Sequence, residues 1–196
     1  MFRQIRPLLE KEFGAERTDS VLAAARGEFA ALCAENDGEP KAVKAQTHGN
    51  LYPCLALYRS LQKNGVEQKT ALAFLDRSWS AMAEPKAASM RAMLKLPGLY
   101  KLMPAIFKKV TLSQFGEAAG FRAVFYDLGK DRCKFDMTRC LYCDVCRRYG
   151  VPELVPCFCH TDDVTDGNMH PKILWARTKT MGEGGDVCDF DLILKK

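Results

Sequence analysis

KILWARTKTMGEGGDVCDFDLIL, residues 172–194, decides the fold. On either side of its glycine-rich middle, MGEGGD, the side chains alternate with a period of two, as half-buried strands do. Two such runs joined by a glycine turn predict an antiparallel hairpin. In the second run Cys188, Phe190, Leu192 and Leu194 point one way while Asp189 and Asp191 point the other. In the first, Ile173, Trp175, Arg177 and Lys179 share a face of what reads as a central strand. A one-residue change of register would decide whether Arg177 meets an aspartate or a cysteine, and sequence leaves that open.

Upstream, FRAVFYDL (121–128) is aromatic and β-branched and predicts a strand. Cys133, Phe135 and Met137 alternate with Lys134 and Asp136 and predict a second; CLYCDVCRRYG (140–150) has helix length and a glycine stop. Before residue 116 the period is helical. Thr18–Ser20 reads as a cap ahead of Val21, Leu22, Ala25, Phe29, Leu32 and Cys33, with Asn36-Asp37-Gly38 as the stop. Leu51, Leu55, Tyr58 and Leu61 repeat the spacing up to Asn64-Gly65, and Leu72, Leu75, Trp79 and Met82 repeat it up to Pro85. The expected class is therefore α+β: a helical region, 1–115, packed on a small, mostly antiparallel sheet, 116–196, the two forming one compact domain.

Composition sets the bounds. The 196 residues are 47% hydrophobic and 27% charged, values of an ordinary globular chain long enough for a real core. The N-terminus lacks an apolar stretch followed by a cleavage site, and no run is long enough to span a bilayer, so a cytoplasmic location is expected. In that reducing compartment the nine cysteines read as thiols for metal binding or catalysis, not as disulfides. A net charge of +5 without finger spacing or an RNA-binding aromatic motif argues against nucleic acid.

Seven of the nine cysteines follow residue 130. VPELVPCFCHTDD (151–163) gathers two of them with a histidine and an aspartate pair. Cys140, Cys143, Cys157 and Cys159 would supply four thiolates for zinc. The C-x2-C-x2-C run ending at Cys146 is part of an iron–sulfur pattern, without its usual completion. Zinc or an iron–sulfur cluster is thus one expectation for this region.

Five pieces in order, FGEAAGFRAVFYD, KFDMTRC, YGVPELVPCFCHTDD, GNMHPKILWARTKT and GGDVCDFDLIL, resemble the L-2-amino-thiazoline-4-carboxylic acid hydrolase family over about residues 90–194. A more distant similarity is to the 4-vinyl reductase domain, which implies a non-catalytic module that binds a metal or small ligand. The hydrolase resemblance implies opening of a thiazoline ring to N-carbamoyl-cysteine, with a small molecule as partner. That chemistry needs attack at C2 by a thiolate or an activated water, a cation for the carboxylate and a carboxylate for the amidine. The candidates are Cys159 or Cys188 as nucleophile and His160 or Asp163 as base. Arg177, with Thr178 beside it, would take the substrate carboxylate, and Asp162 or Asp189 the amidine.

Plainer readings stand beside these. Cys157 and Cys159 would share a face of an extended segment, and one or both can be simple core. Cys188 can be core, Asp162-Asp163 can cap a turn, and His48 and His170 read as local loop residues. The stretch from Lys86 to Lys109 has six basic residues and no acidic one. It can lie on an anionic membrane or close over a substrate; the favoured reading is an exposed helix pair with its apolar side on the sheet.

Overall fold

Gly14 governs the start of the chain. In this computed structural model, which describes residues 1–195, its φ of 81° ends α1 (Phe2–Phe13) and lets α2 (Ala15–Glu35) begin at once. Thr18 therefore lies buried one turn inside α2, not at its cap. α3 (Lys41–Gln46) runs through a π-helical turn, Thr47–Leu51, into α4 (Tyr52–Lys63). Every side chain from Tyr52 to Tyr58 is buried, as expected of a helix that is apolar all round. Glu39 ties the π turn down, accepting from the Thr47 hydroxyl at 2.8 Å and the Tyr52 hydroxyl at 2.7 Å.

α5 (Gln68–Leu94) does not stop at Pro85 but runs through it. Proline removes the bond to the carbonyl of Ala81; both residues are exposed at that point, so water can serve the carbonyl. The chain forms two compact units, Met1–Met82 and the residues from Ala83 on.

The second unit holds the sheet. After α6 (Met103–Gln114) come β1 (Arg122–Tyr126), β2 (Arg132–Arg139), α7 (Leu141–Arg148), α8 (Val155–Asp166), β3 (Ile173–Ala176) and β4 (Cys188–Leu194). The strand order is β1-β2-β4-β3, antiparallel throughout, so the class is α+β and the hairpin of 172–194 is present. β3 is an edge strand, however, and Arg177 lies just past its end. The register sets Trp175 opposite Leu192, Phe135 opposite Phe190 and Met137 opposite Cys188. These side chains make one apolar face. Phe135 stacks on Phe190 at 4.9 Å, and Phe107 of α6 covers both Phe135 and Trp175 at 5.9 and 5.5 Å.

The opposite face is polar. Tyr126 donates to Asp136 at 2.6 Å, and Arg132 pairs with Asp191. Asp189 also belongs to that side.

Candidate active site on α8 and the end of β3

VPCFCHTDDVTD is a helix, not an extended segment, and this changes which side chains meet. Pro156 falls in the first turn, where its missing N–H costs nothing. The Thr161 and Thr165 hydroxyls fold back to the carbonyls of Phe158 and Thr161 at 2.6 and 3.0 Å. Val155, Cys157 and Phe158 are buried in the core, where Phe158 packs on Tyr142 of α7 at 4.9 Å. Cys159, Asp162, Asp163 and Asp166 recur at intervals of three, four and seven and line another face. Asp162 and Asp163 thus cap no turn.

Arg177 reaches up to that face from the end of β3, with its side chain only 6% exposed. One terminal nitrogen donates to Asp162 at 3.2 Å; the other donates to Asp163 at 2.6 Å and to the Cys159 carbonyl at 3.1 Å. Its guanidinium lies over the Phe190 ring, 5.7 Å from the centroid. The indole N–H of Trp175 donates to the other oxygen of Asp163 at 3.1 Å. Asp163 is held from two sides, and Arg177 by three acceptors.

Asp162 is half-buried on α8, with 42% of its side chain open to solvent. Loss of hydration pushes its pKa up to about 7, Asp166 adds to the rise, and Arg177 opposes it. Asp166 is likewise pushed up to about 7, chiefly by burial, against the pull of the Thr165 hydroxyl, Lys86 and Arg177. Two carboxyls one helical turn apart are thus both raised toward neutrality, the range in which an acid–base pair works.

The cysteines behave otherwise. Burial pushes the Cys159 thiol up to about 12, with Asp162 and Cys188 adding to it, and Cys188 up to about 11. Cys188 accepts the Met181 N–H at 3.2 Å. Contact with Cys143 and then burial raise Cys140 well above the ordinary thiol value, and Cys146 is pushed to about 12 by burial. Thiolates at neutral pH need the reverse, a nearby cation or helix N-terminus with access to water.

Among the described residues no group of three or more His, Cys, Asp or Glu side chains is arranged to hold a metal ion. Cys140 precedes α7, Cys143 and Cys146 are buried within it, and Cys157 and Cys159 are about 200° apart around α8. The described residues show no such group at Cys140, Cys143, Cys157 and Cys159.

The other candidates divide. Cys159, Asp162, Asp163 and Arg177 converge. His160 points to Glu183, with 3.7 Å between nitrogen and oxygen, in the 3-10 turn Met181–Glu183. That turn presses on α8 so closely that a β-carbon at Gly182 would stand 2.7 Å from Val155 and 3.0 Å from the Cys159 sulfur. Thr178 and Asp189 meet each other: Asp189 accepts from the Thr178 N–H and hydroxyl at 2.9 and 2.6 Å and from the Lys179 N–H at 2.8 Å. Burial would raise Asp189, but these bonds outweigh it and hold its carboxyl below the usual range. Its oxygens serve the turn after β3. His170 stacks on Tyr100 at 4.5 Å, within 8° of parallel.

Asp166 and the Trp175 donor were absent from the sequence-derived set. The interval of four between Asp162 and Asp166 was the available signal, visible only once 155–166 is read as helix.

No curated protein matches the chain. A family model does, over residues 44–192, which reaches beyond the resembling stretch into α3 and the π turn. With three quarters of its length in that match, the chain belongs to the L-2-amino-thiazoline-4-carboxylic acid hydrolase family.

Proposed function

We propose that the chain hydrolyses a small cyclic amidine of the 2-amino-thiazoline-4-carboxylate type, using water and the Asp162–Asp166 pair. The observation that carries this reading is the row of carboxyls on α8 anchored by the buried Arg177, with Asp162 and Asp166 both near neutrality. Near pH 7 such a pair offers one carboxylate and one carboxylic acid. The carboxylate takes a proton from water as its oxygen attacks C2, between the ring nitrogen, the sulfur and the exocyclic amine. With the amidine protonated, the ring nitrogen already carries its proton, so the tetrahedral adduct re-forms a C–O double bond as the C2–S bond breaks. Its remaining hydroxyl proton passes to the carboxylate left once the acid partner has protonated the sulfur. The acid partner protonates the leaving sulfur, and the product is an N-carbamoyl thiol.

Arg177 works through its neighbours here. Its guanidinium is already held by Asp162, Asp163 and the Cys159 carbonyl, so it positions carboxylates in place of binding the substrate's own. Trp175 keeps Asp163 oriented in the same way. Cys159 and Cys188 stay protonated and serve as packing, which favours activated water over a covalent thioester-like adduct.

Release of thiol from 2-amino-thiazoline-4-carboxylate, read by a chromogenic disulfide, tests the assignment. Asp162→Asn should lower kcat by about a hundredfold or more, the usual worth of a general base. Cys159→Ser should stay within a few-fold of the parent. Loss of turnover in the serine variant with normal turnover in the asparagine variant would return the nucleophile to Cys159.

A further inference from the structure

α6 is apolar on two sides, and the sheet covers only one. Met103, Pro104 and Thr111 are buried, and Phe107 packs on Phe135 and Trp175. Leu102, Ile106 and Val110, spaced by four along the same segment, are turned outward and are 54%, 40% and 38% exposed. Met93 and Leu96, at and just beyond the end of α5, are also exposed, as is Leu112. A helix apolar on more sides than its neighbours cover ordinarily has something else against it. The sequence expectation of a single apolar side laid on the sheet does not account for these six side chains.

Charge says what that partner is. Between Glu84 and Glu117 the chain carries Lys86, Arg91, Lys95, Lys101, Lys108 and Lys109 and no acidic residue. Lys95, Lys101 and Lys109 are exposed on the same stretch as the outward leucines and isoleucine. A second copy pairing through this face would set lysine against lysine with no carboxylate in the patch to answer them. An anionic lipid leaflet supplies the complement to both features. Aliphatic side chains enter the acyl boundary while lysine stems let the ammonium groups reach the phosphates. Nothing in the patch has the fixed, two-pronged donor geometry that recognition of one acidic protein motif would call for.

We propose that the outward face of residues 93–112 seats the protein on anionic membrane surfaces, with Leu102, Ile106 and Val110 inserted and Lys101 and Lys109 at the phosphates. This site is separate from the α8 carboxyls and stands whether or not the chain is a hydrolase.

The test is co-sedimentation of the full chain with vesicles of phosphatidylcholine alone and of phosphatidylcholine with phosphatidylglycerol at about 3:1, at about 0.05 M and 0.5 M salt. The expected result is binding to the anionic vesicles only, lost at high salt. Lys101→Glu with Lys109→Glu should weaken it by at least about 25-fold, about fivefold for each lysine lost. Ile106→Ser with Val110→Ser should weaken it too while leaving far-UV circular dichroism and thiazoline turnover at parental values. Equal sedimentation with both lipids, or none with either, overturns the proposal. So does a concentration-dependent dimer abolished by the serine pair in the absence of lipid, which would make a second copy the partner. Selective binding to an acidic polypeptide such as poly-glutamate, without binding to vesicles, would overturn it in favour of an acidic protein.

Discussion

Replacing Arg177 with methionine keeps the length of the side chain and removes the charge that organises the carboxyls. Removing one member of a buried ion pair costs about 3–5 kcal/mol. Arg177 itself is buried, but Asp162 and Asp163 are 42% and 48% exposed and will be rehydrated, which lowers the loss. The Cys159 carbonyl also loses its donor. Together these give about 2–3 kcal/mol, or a fall in Tm of about 5–10 °C for a chain of this size. The same change removes a charge that holds both Asp162 and Asp166 down, so the two carboxyls should rise by a further ~1–2 pH units. The acid limb of the rate profile moves to higher pH, and the rate at pH 7 falls while that at pH 9 recovers in part. Thermal melts by circular dichroism and thiol release between pH 5 and 10 measure both effects. An unchanged Tm with an unmoved pH profile would refute the reasoning. A rise in KM for the carboxylate substrate but not for its ester would identify Arg177 instead as the substrate's anchor.

Asp162 and Asp166 keep their protons to about pH 7 when folded, whereas an unfolded aspartate releases its proton near ~4. The native state binds more protons between those values, so their contribution to stability declines as pH rises through that window; Asp162→Asn should flatten the decline in denaturant titrations between pH 5 and 8. Gly182→Ala should cost about 1–3 kcal/mol through the contacts with Val155 and Cys159, and adding Val155→Ala should restore part of it in the same assay. Asp189→Ala leaves the Thr178 and Lys179 N–H groups without their acceptor. A loss of about 1–3 kcal/mol is expected, together with a higher KM as the turn after β3 loosens.

The alternation in 173–176 and 188–194 carried the hairpin, its faces and its partnering, because period two is a property of a sheet half in water. The helical stretch of 155–166 escaped because its apolar positions are few and its polar ones close together, so CFCHTDD shows no clean period of either kind. Reading it as extended put Cys157 and Cys159 on one face and hid the relation of Asp162 to Asp166. Pro85 was misleading for a different reason: proline in a long helix is tolerated where the orphaned carbonyl meets water. The convergence of Arg177 on Asp162 and Asp163 depends on strand order and on where α8 packs, neither of which local sequence specifies.

The site is assembled from two supports of unequal permanence. The carboxyls sit on a three-turn helix packed into the core, but Arg177 and the turns that follow belong to the connection 177–187, which leaves an edge strand and returns to the interior strand β4. β4 pairs with β2 over six positions, so the sheet does not depend on the length of that connection. Doubling such a loop costs only about 0.6 kcal/mol in closure entropy. Insertions and deletions there can change what lies beside α8 while the helix keeps its row of carboxyls. Divergence in substrate among chains of this architecture should therefore be written in the length and composition of 177–187, with the reaction type carried forward unchanged on α8.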